Sequence, residues 1–123
     1  MNLRIIIMVS FFLAAHAVEA GQDTYVRGAV IWTNEKQTVT ECKTGRVYWI
    51  RVLASNPHFL FSKRVDELYS NGAKTIIAEF RGEISLGMPS LGPRYPVDGT
   101  LNVHNVISVE KGNCEESGSG TTK

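Results

Sequence analysis

Two cysteines, Cys42 and Cys114, are the only ones in the 123 residues, and they lie far apart in the chain. Their setting decides what they are. The chain opens with Arg4, an apolar run from Ile5 to Ala15, and small residues at Val18 and Ala20. Positive start, short apolar core and small residues before a cleavage point are the pattern of a secretory signal peptide. The run is too short for a hydrocarbon layer of about 30 Å, which needs about 20 apolar residues. We therefore expect residues 1–20 to be removed after Ala20, delivering the rest to the periplasm or the exterior. No cysteine stands at the cleavage point, so the sequence reads as released, without its own lipid anchor. In an oxidising compartment, two cysteines in a small domain are expected to pair. The pair would close a loop of about 73 residues, worth roughly 4 kcal/mol in the chain-entropy model. Catalytic redox pairs usually sit close together, as in C-x-x-C, which favours a structural bridge here.

What remains after cleavage is about 103 residues, enough for one domain with one modest core. The formal net charge is +1. That balance gives no electrostatic reason to expect nucleic acid or an anionic membrane as partner. No later segment is apolar for long enough to span a membrane.

The hydrophobic period then divides the domain. Tyr25–Trp32 is rich in β-branched and aromatic residues and reads as a strand. Residues 33–36 are a polar break, and Gln37–Cys42 is a shorter strand. Lys43-Thr44-Gly45 reads as a tight turn, with Gly45 free to take positive φ. Arg46–Leu53 alternates as a third strand, with Tyr48, Ile50 and Val52 inward and Val47, Trp49 and Arg51 outward. The period changes at Asn56-Pro57, read as cap and first helical residue. Phe61, Val65, Leu68 and Tyr69 form one apolar stripe, and Asn71-Gly72 is a stop, giving a helix over about 57–71. Lys74–Ile84 returns to strand, with Ile76, Ala78, Phe80 and Ile84 inward and Gly82 marking a bulge or bend. Residues 86–99 form a long loop containing three prolines. Leu101–Val109 is the last strand, with Leu101, Val103, Ile107 and Val109 assigned to the core. Residues 21–114 thus make one domain, and 115–123 read as a disordered tail. The order βββαββ is mainly β and matches a small five-stranded OB-fold-like barrel, with the helix plugging one end. Order alone also admits a five-stranded α+β sandwich.

The stretch Val39–Tyr48 carries Cys42-Lys43-Thr44-Gly45 followed by Tyr48. It resembles the C-x-T/S-G-x-x-Y/F turn in the C-terminal OB domain of NlpE-type envelope lipoproteins. The Leu68-Tyr69 pair, the strand Thr75–Ile84, the Met88-Pro89 loop and the segment Val106–Cys114 follow in the same order. The resemblance runs from about Tyr25 to Cys114. It implies an OB-fold envelope domain whose Cys42–Cys114 pair matches the family's disulfide, in a family linked to envelope stress, adhesion sensing and copper tolerance. The chain departs from it by lacking a lipid-attachment cysteine and the N-terminal domain with its C-x-x-C motif, which puts signalling and copper roles in doubt.

For chemistry, the residues offer little. His58, His104 and Met88 are scattered over different elements, and a copper site needs them clustered. Glu79 and Glu83 share a strand face and read as solvated. No serine has a nucleophile motif around it. The expectation is a module with no catalytic residue, cofactor or metal. OB-folds bind ligands on the face of strands 2 and 3. Trp49 and Arg51 there, with Arg94 and Tyr95 from the long loop, are the candidate ligand surface, for an envelope protein or a glycan. The ordinary alternative is that Trp49 simply packs under the loop. Two other classes share the fold and size: the glycan-binding B subunit of a secreted toxin, which forms ring pentamers, and an exported enzyme inhibitor.

Overall fold

The computed structural model describes residues 23–116. The signal-peptide reading, and most of the tail, fall outside the described residues. Strands β1 (Thr24–Trp32), β2 (Gln37–Glu41) and β3 (Val47–Val52) come first. Helix α1 (Ser55–Ser70) follows, then β4 (Ile76–Leu86), β5 (Gly99–Lys111) and a 3₁₀ turn over Cys114–Glu116. The strands close into a barrel in the order β1-β2-β3-β5-β4, with β4 pairing back onto β1. The architecture is the expected five-stranded barrel with one helix between the third and fourth strands, and the sandwich is excluded.

All pairs are antiparallel except β3 with β5, which run parallel from Tyr48↔Gly99 to Val52↔Val103. Parallel neighbours need a crossover, and α1 with β4 supplies it. The alternation of each strand delivers one face to the interior. Val26, Val30, Val39, Tyr48, Ile50, Ile76, Phe80, Leu101 and Val103 are all at most 4% exposed. Helix α1 closes one end with Phe61, Val65 and Leu68. The Phe61 ring meets Phe80 of β4 edge-on at 5.6 Å and Trp32 of β1 at 4.8 Å. Each such buried side chain is worth about 1.5–3 kcal/mol. Arg64 Nε donates to the Val109 carbonyl at 3.1 Å and ties the helix to β5. Tyr69, assigned to the same stripe, stays 38% exposed because the stripe ends at Leu68. Among the described residues no helix is long and apolar enough to cross a membrane.

Two further local expectations are corrected. The helix begins earlier, at Ser55, with Ala54 in the cap position and no side-chain cap. Asn56 and Pro57 therefore lie inside the first turn, which accepts proline because its missing N–H would have no partner there. The helix end is as expected. Gly72 takes φ +94°, its N–H donates to the Tyr69 carbonyl, and the Ala73 N–H donates to that of Leu68. That is the Schellman arrangement.

The second correction concerns β5. Ile107 is 45% exposed, and Val106 packs against the core instead. The β4–β5 ladder slips twice, from Glu79↔Ser108 to Phe80↔Val106 and from Arg81↔Asn105 to Gly82↔Val103. Ile107 and His104 are the extra residues. Each bulge inverts the inward–outward phase, so Leu101 and Val103 point in, then Val106, then Val109. Gly82 sits at the second slip. A Cβ there would lie 2.1 Å from the Asn102 carbonyl oxygen, so only glycine admits this approach.

Cys42 and Cys114 are bonded, with Cα atoms 5.4 Å apart across 72 positions of sequence. Cys42 follows β2 and Cys114 follows β5, two strands that share no ladder. The bridge thus joins parts of the barrel that backbone hydrogen bonds leave unlinked. Replacing Cys42 by Ser is expected to lower unfolding stability by roughly 4 kcal/mol in a denaturant titration, the loop-entropy value. An unchanged midpoint would mean the bridge contributes nothing.

Candidate functional site

On β3 the outward residues are Val47, Trp49 and Arg51, and two loops rise beside them. The loop 33–36 is braced by Thr33, whose hydroxyl accepts from the N–H groups of Glu35 and Lys36 at 3.2 and 3.0 Å. The Gln37 side-chain amide donates to the Thr33 carbonyl. The loop 87–98 is closed at its base by Asp98. Its N–H donates to the Val47 carbonyl and its carboxylate accepts from the Val47 N–H, both at 2.8 Å. The Gly87 N–H donates to the Asp98 carbonyl at 2.7 Å.

Tyr95 latches one loop to the other. Its hydroxyl accepts from the Gln37 N–H at 3.0 Å, and the Lys36 ammonium lies 5.5 Å from its ring centre. Between the two loops lies Trp49. Gly92, at φ +147°, rests directly on the indole: a Cβ there would come within 2.7 Å of the ring. Arg51 places its guanidinium 5.9 Å from the Trp49 ring centre and donates to the Asn102 side chain at 3.3 Å.

Trp49 is therefore partly covered, yet three hollows meet at it. The largest, about 720 Å³, lies between β3 and α1. A second, about 520 Å³, is bounded by Arg51, Asn102 and Pro89–Gly92. A third, about 320 Å³, holds Arg94 and Tyr95. All four residues singled out from the sequence thus gather around one indole. Their roles differ: Trp49 and Arg51 form the floor, Tyr95 is the latch, and Arg94 borders the smallest hollow.

The far wall of the largest hollow comes from elements that strand parity does not bring together. It is built by Trp32 and Asn34 with His58, Ser62 and Asp66 of α1. Trp32 donates its indole N–H to the Ser62 hydroxyl at 3.0 Å and lies 5.5 Å from the His58 ring. The signal was present: 58, 62 and 66 recur at i, i+4, i+8, a polar stripe beside the apolar one.

Glu79 and Glu83 do not act as a pair. Glu79 accepts from the Tyr25 hydroxyl at 2.6 Å and the Ser108 hydroxyl at 2.7 Å, whereas Glu83 faces His104 at 3.7 Å. The Tyr25 hydrogen bond, then that of Ser108, hold the Glu79 carboxyl below its ordinary range. Burial, then the hydrogen bond to Glu79, push the Tyr25 phenol up. Among the described residues no three His, Cys, Asp or Glu side chains converge as a metal cluster.

Comparison with protein-family models, with curated proteins and with solved structures finds no match to this chain.

A lowered carboxyl contributes stability that is present above its unfolded value and lost as pH falls through its folded value. The raised phenol contributes in the opposite sense, fully below its unfolded value and less as pH rises through the folded one. Tyr25→Phe is expected to return Glu79 toward the ordinary carboxyl range by NMR titration and to make the acid-side loss of stability shallower. An unshifted Glu79 titration in that variant would rule out the hydrogen bond as the cause.

Proposed function

We propose that this chain is an exported, non-catalytic binding module of the bacterial cell envelope, comparable to the C-terminal OB domain of NlpE-type lipoproteins. One observation carries the binding face: loops 33–36 and 87–98 are latched together through Tyr95 over the outer face of β3, and leave Trp49 bordering three hollows. OB-folds hold ligands where the strand 2–3 face meets the loops between strands 1–2 and 4–5. Those are the two loops latched here. An aromatic residue at the centre of such a face is the usual anchor of an interface. The resemblance in sequence order and the Cys42–Cys114 bond support the envelope assignment. The nearly balanced charge argues against nucleic acid as ligand.

The mature protein is expected to be a monomer by light scattering. A stable ring pentamer would instead promote the toxin B-subunit reading of the same barrel. Trp49→Ala is expected to keep the barrel's circular dichroism and to abolish co-sedimentation with purified envelope fractions, namely peptidoglycan, lipopolysaccharide and outer-membrane vesicles. Co-sedimentation unaffected by the substitution would move the binding face elsewhere.

A further inference from the structure

The lining of the largest hollow narrows the chemistry of the ligand. Two indoles, Trp32 and Trp49, border it, together with the side-chain amides of Asn34 and Gln37. Arg51 on β3 and Asp66 on α1 add one guanidinium and one carboxylate, of opposite sign. The volume of about 720 Å³ falls in the range of small-molecule sites.

Three ligand classes fit poorly. A peptide that adds a strand needs a free sheet edge, but β2 pairs β3 over Val47–Trp49 and β5 pairs it over Tyr48–Val52, which leaves only the three residues 50–52 open on one side. An amphipathic helix needs an apolar trough, and this lining is largely polar. A polyanion needs surplus positive charge, and here Arg51 is matched by Asp66.

A saccharide meets what is left. Its C–H face is a weakly positive apolar surface that stacks on the negative face of an indole. Its hydroxyls both donate and accept, which suits planar amide, carboxylate and guanidinium groups. The side chains of Asn34 and Asp66 make no hydrogen bond or ion pair with another described residue, so their polar atoms are open to a ligand. Both walls are held before any ligand arrives: Trp32 by Ser62 and Phe61, and Trp49 by Gly92. Such preorganisation lowers the entropic cost of binding.

We infer that this hollow binds a neutral saccharide, with Trp49 as the stacking surface and Asn34 and Asp66 as hydrogen-bonding partners of its hydroxyls. The inference rests on the binding-module reading and specifies its ligand class.

The chain has two tryptophans, and both border the hollow, so intrinsic emission reports on it directly. The test titrates the mature protein with a panel of defined neutral oligosaccharides of hexoses and N-acetylhexosamines. At least one is expected to change the emission saturably, with an affinity insensitive to moderate salt. Trp49→Ala should weaken it by about tenfold or more and Trp49→Phe by less. Asn34→Ala and Asp66→Ala, at exposed positions, should each weaken it several-fold and carry the test if the Trp49 variants fail to fold. Tyr25→Phe, away from the hollow, should leave it unchanged. A panel without any saturable response, or a response that survives both Asn34→Ala and Asp66→Ala, overturns the saccharide assignment. If an envelope fraction still binds through Trp49 in that case, the module reading stands; if none does, both fall.

Discussion

The parallel ladder between β3 and β5 is the contact on which the remaining geometry depends. It closes the barrel, and it does so between two strands that the chain visits far apart. Because the partners run parallel, the chain must leave the end of β3, cross through α1, return along β4 and re-enter beside the start of β3. That route places α1 against one end of the barrel. It also places the loop 87–98 above the outer face of β3, since β5 begins at Gly99 opposite Tyr48. Asp98, one residue earlier, is bound to both backbone groups of Val47. The position of the hollows is therefore a consequence of how the barrel closes.

The disulfide complements the ladders. Backbone pairing ties each strand to its two neighbours and leaves β2 and β5 unconnected. The Cys42–Cys114 bond spans that gap. Arg27 of β1 donates to the Cys42 sulfur at 3.2 Å, and the Cys42 N–H donates to the Arg27 carbonyl at 2.9 Å, so the bridge is seated on β1 as well. A domain of this size has a limited apolar core, and a covalent constraint on the unfolded chain is then a large part of its stability.

Closure also limits how the protein can recognise anything. Each strand has two neighbours along part of its length, which shortens the edges open to β-augmentation and shifts recognition toward side chains on outer faces and loops. Three hollows meet at Trp49. It serves two ends: Gly92 packs on it, which holds the loop in place, and its remaining surface borders open space. Packing under a loop and presenting a face to a ligand are compatible roles for one large indole.

The strands, the helix stripe and the inward residues of β1, β3 and β4 were legible in the sequence because each is a local alternation, readable within one element. The Asn71-Gly72 stop and the Gly45 turn were legible for the same reason. Strand parity puts Ile107 inward and the structure puts it outward, because the two bulges arise from how β5 fits β4, a relation between residues 20 to 30 positions apart. The helix starts at Ser55, ahead of Asn56-Pro57, because that pair satisfies the chemistry of several positions in a first turn. Around the site, the outward direction of Trp49 and Arg51 followed from strand parity. Their meeting with Asn34, His58 and Asp66 did not, because it needs α1 and the loop 33–36 on the same side of the barrel. The sequence by itself determined which residues face inward along each unbroken strand and which two cysteines are available to pair. Only the tertiary structure decided the phase of β5 and which polar side chains surround Trp49, because both depend on contacts between segments that no local period connects.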